Sequence, residues 1–235
     1  VRGQLLRCGV FVSLYAVAMA YAEAAVVVYL RALYRVEDLV RDVPARPDPL
    51  GWVELGREAA TLVMLFAVGQ LAGRSRPARW GAFLYAWGLW DVAYYGWLRL
   101  LVDFPRSLAD WDLLFLLPLP WWAPVWAPIL AAVLLAVFGA AVAVRGESGQ
   151  PVRVDRASVM AAGVGSAAAL GAVMAPALTR LGAGWEAAVS ARPEVFPWGL
   201  YLAGWLAVAW AAWRVASGRS LPPTRLHKPA RRGTL

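Results

Sequence analysis

Residues Trp87 to Arg99 read W-G-L-W-D-V-A-Y-Y-G-W-L-R and place one carboxylate, Asp91, inside an otherwise apolar stretch of membrane-spanning length. A charge near the middle of a bilayer helix costs about 2.5 to 3.5 kcal/mol on insertion scales, so such a residue normally faces the interior of a bundle and marks a working site. Comparable apolar runs lie on either side, at Cys8 to Leu30, Leu113 to Val144, Ala157 to Thr179 and Val195 to Trp213. Each is near or above the ~18 residues that mark a membrane span. With 61% hydrophobic composition over 235 residues and a mean hydropathy of +0.55, these runs predict an all-α, polytopic membrane helix bundle. Its single transmembrane domain is expected over residues 1–216, with a basic disordered tail over 217–235. Many of the 14 tryptophans stand near the ends of the runs, where aromatic belts meet the headgroups.

Two runs have unusual lengths. The uncharged stretch Ala59 to Gly73 would make only ~22 Å of helix against a hydrocarbon core of ~30 Å, so the span has to begin near Trp52 or Val53 and carry Glu54, Arg57 and Glu58 into the outer membrane. The stretch Leu113 to Val144 would reach ~48 Å, too long for one straight span, and Pro118, Pro120, Pro124 and Pro128 fall in its first half. The expectation is about six spans, with a proline-broken segment near 118–128 that follows a short interfacial or re-entrant piece from Trp111 to Leu117. Ser107 followed by Asp110 resembles a capping box and predicts a helix start there. The first run offers A-x-A patterns at Ala18 to Ala24, yet its apolar residues continue to Leu30, so a retained helix is expected rather than a cleaved leader.

Arginines cluster between the second and third runs (Arg74, Arg76, Arg79), between the fourth and fifth (Arg145, Arg153, Arg156) and at both termini. By the positive-inside rule these segments and both termini are cytoplasmic, in a cell (inner) membrane. The net charge of +8 sits in such loops rather than on one amphipathic face, which argues against nucleic acid as a partner. Membrane lipid is the expected partner of the basic tail. Cys8 is the only cysteine and His227, in the tail, the only histidine, so no cofactor is expected; a metal is left open.

At 1.5 Å per residue, Glu23, Glu58 and Asp91 fall roughly 8 to 10 Å below the outer boundary, although they come from three different helices. Glu54, Glu58 and Thr61 share one helix face, and Trp87, Asp91, Tyr94 and Tyr95 share another. The candidate substrate- or ion-binding residues are therefore Glu23, Glu54, Arg57, Glu58, Asp91, Tyr94 and Tyr95, and no catalytic residue is assigned. Carboxylates at one depth can bind a cation or small cationic solute, relay protons, or pair with Arg57 as structural glue. Asp103, Asp110 and Asp112 read as caps and solvated loop charges.

These residues favour a transport or proton-coupled membrane protein. A non-catalytic subunit of a larger complex, bound to a partner subunit or a second copy, is the alternative, and a lipid-modifying enzyme at the outer interface is a third reading. A solvent-connected cavity reaching Glu23, Glu58 and Asp91 would favour transport. A dry cluster closed by Arg57 would favour assembly, and an acyl-sized groove at the Trp111 to Trp126 elbow would favour the enzyme. The first-helix A-E-A-A-V-V-V-Y-L resembles the membrane glutamate of small multidrug exporters, whose four spans differ from the six expected here. Ala16, Ala20 and Ala24 resemble the A-x-x-x-A-x-x-x-A contact of the substrate-binding subunits of vitamin importers, a spacing that arises easily in an alanine-rich chain. Neither resemblance sets the reading.

Overall fold

The computed structural model describes residues 2–37, 49–116 and 118–218. The proline loop after residue 37 and the tail beyond Gly218 lie outside the described residues. The chain is mostly helical: α1 (Arg2–Tyr34), α2 (Pro49–Ala72), α3 (Arg76–Val102), α4 (Trp126–Glu147), α5 (Arg156–Val173), α6 (Ala175–Arg180), α7 (Trp185–Val189) and α8 (Trp198–Ser217). Four helical segments are long and apolar enough to cross a membrane: Arg7–Tyr34, Pro49–Ala72, Trp126–Glu147 and Arg156–Val173. α3 and α8 are of similar length but carry many tryptophans and tyrosines, which lower an average hydropathy without making a helix unfit for a bilayer.

The helix ends follow local chemistry. Ser75 caps α3 by accepting the Ala78 N–H at 3.2 Å, with proline in the first turn, and the helix closes on Asp103 in the left-handed region, whose N–H bonds to the Leu98 carbonyl. Asp155 caps α5 by accepting the Ser158 N–H at 2.8 Å. The run expected to continue to Thr179 instead breaks at Met174, because Pro176 opens a new short helix, α6.

The largest departure from the sequence reading lies between α3 and α4. No helix starts at Ser107. Instead the Asp110 carboxylate accepts the Arg106 and Ser107 N–H groups at 2.8 and 3.0 Å, which closes a turn. A two-stranded antiparallel hairpin follows, β1 (Trp111–Leu113) and β2 (Trp122–Pro124), with Trp111 opposite Pro124 and Leu113 opposite Trp122. The fold is therefore not purely α-helical. Pro118 and Pro120 fall in the connection, where a missing N–H costs nothing, and Pro124 sits on a strand that has a free edge.

Small residues set the helix packing. Val12, Ala16 and Ala20 of α1 form a buried stripe at helical spacing against Ala86 and Trp90 of α3 and Leu65 of α2. α3 lies so close to α4 that a Cβ added to Gly81 would meet the backbone of Gly139 and Ala143. α5 and α8 form a second tight pair, in which a Cβ on Gly165 would meet the Gly204 carbonyl. The α5–α8 pair meets the other long helices mainly through α4. At one end of the bundle a second core joins the pair to the hairpin, with Phe196, Tyr201 and Ala172 packed around Ala123 and Ala127. The opposite end carries the arginine-rich turns, where the Arg74 N–H bonds to Glu147 and Arg214 pairs with Asp155.

Candidate functional site

In the hairpin half of the bundle a cavity of about 410 Å³ separates α1, α2 and α3 from the α5–α8 pair, with α4 and the hairpin completing its walls. All seven residues expected from the sequence line it: Glu23 from α1, Glu54, Arg57 and Glu58 from α2, and Asp91, Tyr94 and Tyr95 from α3. The equal depth read along three helices thus corresponds to one place in the fold. One further acidic residue joins them, Asp112 of β1.

The carboxylates differ in how they are satisfied. Arg57 donates to both oxygens of Glu54, from Nε at 2.8 Å and from Nη2, and also pairs with Glu23 across the α1–α2 interface. The second Glu23 oxygen accepts the Thr61 hydroxyl at 3.2 Å. Glu58, on the next helical turn, is 5% exposed and takes the Leu116 backbone N–H on both oxygens, at 3.2 and 3.1 Å. That bond ties α2 to the chain leaving β1. Asp112 is buried and accepts the Tyr95 hydroxyl at 2.9 Å and the Leu113 N–H at 3.0 Å. Asp91 alone among these carboxylates has no hydrogen-bond or ion-pair partner among the described residues.

The reading of Asp112 as a solvated loop charge is thereby corrected. A strand register that alternates faces turns Asp112 inward between half-exposed Trp111 and Leu113. Its signal in the sequence was its place at the mouth of an apolar run, W-D-L-L-F. The other two aspartates do remain at the surface turn: Asp103 pairs with Arg99 and Arg106, and Asp110 holds the turn before β1.

Five carboxylates and one guanidinium line the cavity, so it carries an acidic excess. Arg31, two turns beyond Glu23 on α1, stacks its guanidinium over the Phe104 ring at 4.2 Å and is not part of the lining. Apart from Ser166, the rest of the wall is apolar or aromatic, including Trp87, Trp90, Phe115, Trp121, Tyr201 and Trp205. Tyr201 itself is fixed by donating to the Ala127 carbonyl at 2.7 Å. Among the described residues, no group of three or more His, Cys, Asp or Glu side chains is arranged to hold a metal ion. Sequence reasoning had not singled out the α4, α5 and α8 residues of the wall, because nothing in an Ala-, Leu- and Trp-rich helix says which face meets a distant carboxylate. No family model, curated protein or solved structure matches the chain.

Proposed function

We propose that the protein is a six-span integral membrane protein of the inner membrane, with both termini cytoplasmic, that binds a cationic solute in this cavity and carries it across the bilayer. The observation that supports the reading is the cavity itself: it reaches Glu23, Glu58 and Asp91 together and leaves a charge excess that a cation would neutralise. α3 and α8 serve as the two further spans, since at 27 and 20 residues each is long enough to cross a bilayer core. Arg57 keeps two carboxylates paired and so holds the α1–α2 wall, while Asp91 remains available to a solute. The site lies between two groups of helices joined chiefly through α4 and the hairpin core, the position in which a relative rocking of the groups would expose it to one side and then the other.

Electrometry on proteoliposomes tests the reading. Concentration jumps with a panel of inorganic and organic cations should move charge with the wild-type protein and not with Asp91→Asn, and no response to any cation would overturn transport. Reporter fusions at both ends test the topology, and a C-terminus on the outer side would refute it. A second reading, a lipid-modifying enzyme, draws on the fact that Leu113, Leu114, Phe115 and Trp121 of the elbow wall the same cavity beside the carboxylates. Lipid turnover in nanodiscs, detected by mass spectrometry and lost in Asp91→Asn, would favour it instead.

A further inference from the structure

We infer that the solute is an amphipathic organic cation, held by its charged centre at Asp91 and by its apolar body against the aromatic wall. The inference rests on the cation-site part of the reading above and names the ligand class. Four of the five cavity carboxylates already have protein partners, from Arg57, Thr61, Tyr95 and two backbone N–H groups. Asp91 has none among the described residues, yet it lines the cavity. Beside it on α3, Trp90 is 4% exposed and lines the same cavity.

The chemistry of the remaining wall distinguishes an organic from an inorganic cation. A bare metal ion replaces its hydration shell with several oxygen ligands, and the carboxylates here are committed elsewhere. A desolvated ammonium needs one counter-ion and gains from ring faces. Trp90, Tyr94, Phe115, Trp121, Tyr201 and Trp205 supply such rings around the single free carboxylate. A cavity of about 410 Å³ accommodates a whole small organic molecule, since ligand pockets run ~300 to 1,000 Å³. The same chemistry could arrive free in solution or as the amine headgroup of a lipid.

The test is equilibrium binding of radiolabelled tetraphenylphosphonium to full-length protein in a maltoside detergent, which carries no amine. Saturable binding to the wild-type protein is expected, at least ten-fold weaker in Asp91→Asn and in Trp121→Ala, and restored toward wild type in Asp91→Glu. Neutral triphenylphosphine oxide and sodium chloride should not compete. Displacement by benzyltrimethylammonium assigns the site to a free solute, and displacement only by phosphatidylethanolamine assigns it to a lipid headgroup; both keep the organic-cation class. Loss of binding in Asp91→Asn without rescue by Asp91→Glu, or competition by triphenylphosphine oxide, overturns the inference. Charge movement by inorganic cations without tetraphenylphosphonium binding would leave the transport reading standing and remove this one. Binding without any charge movement would do the reverse.

Discussion

The two halves of the bundle solve the problem of helix association differently. Toward the arginine-rich end, glycines and alanines let backbones touch, as at Gly81 on Gly139, and the charges there are paired at the surface, as Arg214 with Asp155. Toward the hairpin end, tryptophans, tyrosines and carboxylates occupy the same interfaces and hold the helices apart around a cavity. Close packing makes the first half a rigid base. In the second half four of the five cavity carboxylates are held by protein groups, and the one that is not, Asp91, faces the space left between them.

Substitutions ordered by their expected cost in stability would break or sharpen this contrast. Arg57→Ala should cost most, about 3 kcal/mol, because it strands Glu23 and Glu54 away from water. The Arg57 side chain retains 21% exposure, which places the cost at the low end of the range for a buried pair. Unfolding followed by tryptophan fluorescence measures the loss, and adding Glu23→Gln and Glu54→Gln should recover much of it; no recovery would show that Arg57 acts by packing rather than charge.

Gly139→Leu should cost about 1 to 3 kcal/mol, since the new side chain meets the α3 backbone at Leu84 and Tyr85 rather than a movable side-chain tip. A wild-type melting curve for this variant would contradict the close-packed description of the arginine-rich half. Asp155→Ala should cost less than either, removing an N-cap and the Arg214 partner at a helix end. The hydrogen bond from the Ser158 backbone N–H, followed by that from Arg214, holds the Asp155 carboxyl well below the usual carboxylate range. Its contribution is therefore present above the unfolded value of ~3.9 and fades as pH falls through the folded one. The stability difference between wild type and Asp155→Ala should accordingly shrink in acid; a difference that grows would reverse the sign.

Asp91→Asn should change the melting temperature least, because no protein group depends on its charge, while abolishing charge movement. A large loss of stability would mean that Asp91 is structural and that the contrast between its half of the molecule and the other is misdrawn.

Much of this site was legible along the chain. Helical rise and period are nearly constant, so counting residues from the ends of apolar runs gave depth, and i, i+4 spacing gave the faces of Glu54, Glu58 and Asp91. The reading failed where the regular period stops. Ser107 and Asp110 have the chemistry of a helix cap and of a turn alike, and only the pairing of Trp111 to Leu113 with Trp122 to Pro124 selects the turn. Asp112 was misread for the same reason, since its inward direction comes from strand register.

What the sequence determined by itself was the mostly helical character, the membrane-length segments and the positions of three carboxylates along their helices, because these depend on local hydropathy and on a rise per residue that tertiary packing barely alters. What only the tertiary structure decided was which carboxylates are spoken for. Glu23 meets Arg57, Glu58 meets the Leu116 N–H and Asp112 meets Tyr95 through contacts between separate elements, while Asp91 is left facing a wall built by α4, α5, α8 and the hairpin. Partnership across a cavity depends on distances between elements, and no local property of the chain encodes those distances.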